Sequence, residues 1–507
     1  MNILGISAGY HDAAVSVVNT QGDILFAGHS ERYSKHKNDA NISAGLCEEI
    51  EQYDVSHIAY YETPWKKQLR RLYSGEGLQW DSLTTDQCIR RQLGGTFTRL
   101  EDKNVVDEIH AWQQVRISNY SHHLSHAASG FQTSPYDRAT VVVIDAIGEW
   151  DTITIWGAEY DRTGRVRYRR LWGQKYPHSL GLFYSAITKR VGLHPLDEEY
   201  ITMGMAAYGD DHYHDLMEAV LINDAGTIEF KQNLHAGVGD TFMGGLDHVD
   251  IAAAAQRLLQ RLIGNVMRRA RDFKWSTNLV YQGGVALNCL ANTRLGRFFD
   301  DIWIMPCPGD AGSSLGAAAL AYGKRLHWNN AYLGYNIPGA YPVTDLVHGL
   351  LSDRIVGVAS GRAEFGPRAL GNRSLLADPR GPEIKGQVNA IKRRQQFRPF
   401  APVILAEHAD EYFNMPSGWH THNYMQSVAS CCEPDLYPAV CHVDGTSRVQ
   451  TVAQDGSGIR QLLEAWYAET GCPMLLNTSL NIRGEPMVND RADADRFEML
   501  YGVKVYS

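Results

Sequence analysis

The chain has 507 residues, enough for two to four domains with sizeable buried cores. It is 44% hydrophobic and 21% charged, the balance of an ordinary globular protein. A net charge of −9 excludes a whole-chain basic field for nucleic acid, and no run of about 18 apolar residues offers a membrane span.

The first residues predict strand, turn, strand, turn, strand: Ile3–Ser7, then Ala13–Val18 after Gly9-Tyr10-His11-Asp12, then Ile24–Ala27. The opening run lacks a basic flank and is broken by His11 and Asp12, so no signal peptide is expected. The eight cysteines contain no Cys-x-x-Cys and read as buried thiols, which implies a cytoplasmic setting. The strand pattern returns at Thr140–Ile144, which ends in Asp145, followed by Thr152–Ala158 and Arg165–Trp172. An apolar strand, an Asp-containing turn and a meander thus occur twice. Two related halves facing across a cleft, as in an actin-like fold, would produce this; two unrelated hairpins would too.

A helix is predicted over 252–271, where Leu258, Leu259, Leu262, Ile263, Val266 and Met267 fall at helical spacing. A strand at Leu279–Gln282 leads into Gly283-Gly284 and a helix carrying Asn288. Ile302–Met305 is a short strand before Gly309-Asp310-Ala311-Gly312 and an Ala-rich helix. Residues 328–344 lose periodicity and read as a linker between a first domain, 1–327, and a second, 345–507. The fold class is α/β.

His122 and His126 are four apart, so a helix puts them on one face, while His123 points elsewhere. With Asp145 and Asp310 they form a mixed nitrogen and oxygen set suited to Fe²⁺, Mn²⁺ or Zn²⁺. Gly283, Gly284, Gly309 and Gly312 sit at strand-to-helix turns, where glycine lets backbone approach a phosphate or simply serves the turn. In the second domain, Arg362, Arg368 and Arg373 punctuate a Gly-rich stretch. Lys392, Arg393, Arg394, Arg398 and Arg448 follow, then Asn477-Thr478-Ser479-Leu480-Asn481. Arginine forks with hydroxyl and amide donors suit a small dianion.

These residues resemble the NodU/TobZ-type carbamoyltransferase family, in order and over nearly the whole chain. The matching segments include Ile3–Asp12, His122–Ser129, Glu199–Gly209, Pro306–Gly316, Gly361–Arg380, Lys392–Pro402 and Leu475–Pro486. The resemblance implies a duplicated actin/hexokinase-like (ASKHA) N-terminal domain followed by a YrdC-like α/β domain. It implies that the second domain converts carbamoyl phosphate and ATP to carbamoyl-AMP, with Arg368, Lys392, Arg398, Arg448 and Ser479 on the phosphate and nucleotide. Asn477 and Asn481 belong to the same nucleotide set, as do Gly283, Gly284, Asn288, Gly309 and Gly312 in the first domain. His122, His126, Asp145 and Asp310 match metal ligands of the transfer site, with Fe²⁺ or Mn²⁺ expected and Mg²⁺ a further candidate. His11 or Asp12 is the candidate general base, and Lys37 a contact to the intermediate's phosphate. One departure stands at Ile201, where many relatives carry Lys; an apolar residue there removes a phosphate contact and could reshape the acceptor pocket.

An intermediate prone to hydrolysis predicts a tight interface around a shared internal cavity. The expected acceptor is a small hydroxylated metabolite, and a homodimer is a candidate assembly. An alternative is a hydroxymethylated base in DNA, for which Trp65–Tyr73 and Arg165–Trp172 interleave basic and aromatic residues. Further alternatives are a threonylcarbamoyl-type tRNA modifier and a non-catalytic ATP-binding module.

Overall fold

The computed structural model describes residues 1–102, 115–210, 212–224 and 226–507. Its first sheet is built from β1 (Asn2–Ser7), β2 (Ala14–Asn19), β3 (Ile24–His29), β4 (Val55–Tyr60) and β5 (Arg116–Asn119), in the order β3-β2-β1-β4-β5. The second contains β6 (Arg138–Gly148), β7 (Asp151–Tyr160) and β8 (Val166–Lys175). A short hairpin, β9 (Leu221–Asn223) with β10 (Glu229–Phe230), lies apart; β11 (Asn278–Gln282) and β12 (Asp301–Trp303) complete the sheet. Read from its β8 edge, that sheet runs β8-β7-β6-β11-β12. In both sheets the first three strands form an antiparallel meander and the last two add in parallel. The duplicated pattern in the sequence is therefore a duplicated topology.

Apolar runs make these sheets because both faces are covered. Val141, Val142, Val143 and Ile144 of β6 are all fully buried. The helix His248–Asp272 covers one side with the predicted apolar stripe, every member of it buried. Two glycines set how closely the halves meet. A Cβ on Gly316 would lie 1.8 Å from Ser125 O, and one on Gly5 would lie 1.9 Å from Ser314 O. The helix Gly312–Tyr322 is thereby wedged between β1 and the helix His122–Phe131.

Residues 328–344 carry more structure than a linker. β13 (Tyr332–Ile337) pairs antiparallel with β15 (Gly361–Glu364), after β14 (Ile355–Ala359). The loss of hydrophobic periodicity hid a two-stranded pairing whose bonds are mostly backbone. Beyond it, β14 joins β16 (Arg373–Ala377), β17 (Ala401–Leu405), β21 (Gln450–Val452), β22 (Met474–Ser479) and β23 (Val505–Tyr506) in a mixed six-stranded sheet, order β21-β17-β22-β16-β14-β23. A three-stranded sheet of β18 (Phe413–Asn414), β19 (Ala429–Cys431) and β20 (Thr446–Ser447) flanks it. The cysteines are all free; six are buried, but Cys432 is exposed and Cys431 half-buried.

The N- and C-terminal parts are fastened by specific polar contacts. Arg32 donates to Gly366 O at 2.9 Å, Gly366 N–H donates to His29 Nε2 at 3.1 Å, and Arg362 donates to Leu25 O at 2.6 Å. Arg483 pairs with Glu198 at 2.6 Å, and His442 Nε2 donates to Gly204 O at 2.9 Å.

Candidate functional site

His122 and His126 lie on one face of the helix His122–Phe131, as their spacing predicts. Asp145 comes from β6 and Asp310 from the turn before the helix Gly312–Tyr322. Ligand atoms of the four residues lie within 4.8 Å of one another, and all four side chains are buried. His122 Nε2 is 3.1 Å from His126 Nε2, 3.2 Å from Asp145 Oδ2 and 3.3 Å from Asp310 Oδ1. His126 Nε2 is also 3.3 Å from Asp310 Oδ1. Metal bonds of about 2.1 Å place neighbouring donors roughly 3–3.5 Å apart, so the four residues fit one ion.

The electrostatics agree. Burial pushes the His122 imidazolium down, but Asp310 and Asp145 outweigh it and hold its pKa well above the usual range. His126 is raised on the same balance between burial and the two carboxylates. Burial raises Asp145 and Asp310, yet the histidines hold both well below the carboxylate range. Two carboxylates at this depth demand positive charge, from protons or from a cation. His123 takes no part: its Nδ1 bonds Thr154 Oγ1 at 2.9 Å, and burial, then His122, keep it neutral.

Gly148 is needed here for space. A Cβ on it would lie 2.5 Å from His122 Cδ2 and 2.4 Å from His123 Cδ2. Gly148→Ala is expected to displace His122 and weaken metal binding by roughly tenfold or more. Elemental analysis of the purified variant checks this, with circular dichroism confirming an intact fold. Gly284 N–H donates to Asp145 Oδ1 at 3.0 Å, which orients that carboxylate.

His11 flanks this cluster. Its Nδ1 is 3.0 Å from Asp12 Oδ2 and its Nε2 is 3.8 Å from Asp310 Oδ2. Burial opposes the charged ring, but Asp12 and Asp310 prevail and raise its pKa to about 9. His11 and Asp12, the candidate base pair, are thus held together by one hydrogen bond.

The second cluster is cationic. Lys392 is 3% exposed, and its Nζ donates to Ser479 Oγ at 3.2 Å, Asn481 Oδ1 at 2.9 Å and the carbonyls of Ser479 and Asn481. Ser479 Oγ donates to Asn481 Oδ1 at 2.7 Å. Burial, then Arg394 and Arg398, push the Lys392 ammonium well down. Arg368 is pushed down by burial and by Arg448. Arg394 is pushed down by burial and by Arg398. Among the described residues no carboxylate forms an ion pair with Lys392, Arg368, Arg394, Arg398 or Arg448, although Lys37 pairs with Asp197 at 2.7 Å and Arg483 with Glu198. Cations crowded in this way suit a bound multivalent anion.

One cavity of about 400 Å³ joins the two clusters. Asp145, Asp310, His11, Asp12 and Lys37 line one part of it, and Arg368, Lys392, Arg398, Arg448, Asn477, Ser479 and Asn481 the other. Tyr200 also lines it: its ring lies 4.7 Å from the Arg398 guanidinium and 6.0 Å from Lys37 Nζ.

The glycine-turn residues divide. Gly284, Gly309 and Asn288 line the cavity, whereas Gly283 and Gly312 do not. Gly283 has φ 93° and its added Cβ would meet Ile144 O at 2.2 Å; that of Gly312 would meet Cys307 O at 1.8 Å. Close packing by itself requires glycine at both positions. The Asn288 amide oxygen accepts from Gln256 Nε2 and Ala291 N–H, capping the helix Cys289–Asn292, and its nitrogen donates to Gln256 Oε1. Ile201 is 1% exposed and lies off the cavity, so it does not shape the pocket wall directly. Arg394, named in the basic run, also lines the cavity; Arg483 and Tyr200 are lining residues that the sequence did not single out, and Tyr200 has no local signal.

The carbamoyltransferase N-terminus model matches residues 2–319, and the carbamoyltransferase C-terminus model matches residues 347–506. The chain belongs to the carbamoyltransferase family. This carbamoyltransferase is 32% identical to an uncharacterised protein of Synechocystis sp., over 98% of this chain and 94% of that one. It is 31% identical to the nodulation protein NolNO of Sinorhizobium fredii, over 96% of this chain and 76% of that one. It is 30% identical to the 3'-hydroxymethylcephem-O-carbamoyltransferase of Amycolatopsis lactamdurans, over 79% of this chain and 81% of that one. The family supports O-carbamoyl transfer as the general reaction. None of the described helices is long and apolar enough to cross a membrane.

Proposed function

We propose that the chain is an ATP-dependent O-carbamoyltransferase with two reaction centres in one cavity. Residues 345–507 act as a YrdC-like activating unit, and residues 1–327 as an actin-like transfer unit. Water first cleaves carbamoyl phosphate to carbamate and inorganic phosphate, and a carbamate oxygen then attacks the α-phosphorus of ATP. Carbamoyl-AMP forms and pyrophosphate leaves. The acceptor hydroxyl then attacks the carbamoyl carbon, its proton passes to a base, and AMP leaves with the bridging oxygen. The single observation that carries this reading is the cavity lined by both clusters.

The chain's own residues have distinct tasks. Arg368, Arg398 and Arg448 hold phosphate oxygens by charge-assisted bonds. Lys392 fixes Ser479 and Asn481 against the same pocket. His122, His126, Asp145 and Asp310 would hold the ion, Fe²⁺ or Mn²⁺, which when bound supplies Lewis acidity to a carbonyl or phosphoryl oxygen. Asp12 is placed to accept the acceptor's proton, with His11 orienting it. Placing both centres in one cavity shortens the path along which a mixed anhydride could meet water.

Tyr200 stands where the two clusters meet, beneath Arg398 and near Lys37. Tyr200→Ala is expected to open the passage. Without acceptor, the parent should give one burst of pyrophosphate and then slow turnover. The variant should release pyrophosphate continuously, because carbamoyl-AMP escapes and hydrolyses. A time course by coupled pyrophosphate assay checks this.

The acceptor we propose is a small polyhydroxylated metabolite. The DNA alternative has less support, because part of the charge in its two candidate segments is engaged in ion pairs: Lys67 with Glu62, Arg70 and Arg71 with Glu76, Arg167 with Asp161 and Arg170 with Asp151. The test is a pooled screen of sugars, aminoglycosides and nucleosides, read by mass for one carbamoyl gain per molecule. A gain that needs ATP and carbamoyl phosphate supports the reading; transfer from carbamoyl phosphate without ATP overturns it.

A further inference from the structure

The helix His248–Asp272 has two unlike faces. Its buried face presents Leu259 to the cavity. Its outer face carries Arg257, Arg261, Arg268 and Arg271, all exposed and spaced as one helical stripe with Gly264 between. At 1.5 Å per residue this stripe is about 21 Å long. Arg294 and Arg297 stand opposite it and are also exposed.

Between them lies a groove of about 440 Å³ with an apolar floor of Ile263, Ala291, Leu295 and Phe298. A second hollow, about 360 Å³, shares Arg261, Asn265 and Arg268 and continues to Trp172. There the Arg269 guanidinium lies 4.6 Å from the Trp172 ring. Charge is poorly balanced along this path. Arg261 pairs with Asp224 at 2.7 Å, and Arg271 reaches Asp272 only at 3.9 Å. Among the described residues no carboxylate forms an ion pair with Arg268, Arg294 or Arg297. This concentration of cations sits on a chain whose net charge is −9. Burial, then Arg297 and Arg257, push the Arg294 guanidinium down, so the arginines work against one another across the groove.

A helical stripe offers a cation about every one or two turns. That spacing, with Phe298 in the apolar floor beside Gly264 and Trp172 in the adjoining hollow, suits a strand of regularly spaced phosphates bearing flat bases. We propose that this groove binds single-stranded nucleic acid through its phosphates, with Phe298 and Trp172 as stacking surfaces. The site lies on the outer side of the helix that walls the cavity. It does not depend on the reaction assigned to the cavity.

The test uses the full chain and short fluorescein-labelled oligonucleotides, one of DNA and one of RNA, followed by anisotropy over a range of salt. Either strand should bind at low salt and weaken steeply as salt rises. Arg268→Glu/Arg294→Glu/Arg297→Glu should lower affinity by at least about tenfold, and the salt slope should fall by about three. Arg91→Glu/Arg162→Glu/Arg496→Glu makes an equal charge change at exposed sites elsewhere and should keep most of the binding. Thermal unfolding of both triple variants checks that they fold. The proposal is overturned if neither strand binds at low salt, if only duplex binds, or if the scattered variant loses as much as the groove variant.

Discussion

Asp310→Asn is expected to abolish carbamoyl transfer while leaving pyrophosphate release in place. Asp310 Oδ1 lies 3.3 Å from both imidazole Nε2 atoms, and its Oδ2 faces His11. Asparagine keeps the shape but removes the charge, and its amide nitrogen cannot bind a cation. The two histidines would then share a single carboxylate, Asp145. Metal content should fall, and transfer to whichever hydroxyl the screen identifies should drop by at least about 10²-fold. Activation should survive, because Arg368, Lys392 and Ser479 belong to the other end of the cavity. Elemental analysis, a transfer assay and a pyrophosphate assay on one preparation check all three. Equal loss of both half-reactions would show that they share one site.

Lys392→Met should give the opposite split. The ammonium is buried and ties the turn after β22 together through Ser479 and Asn481. Methionine fills the space but bonds to none of these acceptors, leaving polar groups unpaired at a cost of about 1–3 kcal/mol. Ser479 and Asn481 then lose their common anchor, and a positive charge leaves the anion pocket. Pyrophosphate release is expected to fall about 10²–10³-fold, with metal content unchanged. Lys392→Arg should restore little of it, since a planar fork cannot replace a compact ammonium inside four acceptors. A rescue by arginine would reduce Lys392 to a source of charge.

The sequence revealed those parts of the fold and site that depend on local spacing. His122 and His126 were legible because four residues make about one helical turn, and Asp145 because it directly follows the apolar run Val141–Ile144. The repeated meander was visible because its hairpins are short. The strands β11 and β12 were legible as short apolar runs, but β4 and β5, which complete the matching topology, follow long crossovers and were not singled out. Gly283 and Gly312 are required by close packing, and sequence does not distinguish that use of glycine from approach to a phosphate. The strand Tyr332–Ile337 was missed inside a supposed linker because its partner, Gly361–Glu364, comes after another strand. Tyr200 and Gly148 act only through neighbours brought from far along the chain. The continuity of the cavity is likewise a tertiary fact, and it joins two residue sets that the sequence presented separately.

The most direct test needs no acceptor. The purified chain, supplied with iron, is incubated with ATP and carbamoyl phosphate, and pyrophosphate is measured. The account predicts pyrophosphate only when both substrates are present. No pyrophosphate under these conditions, or release that ignores carbamoyl phosphate, would contradict it.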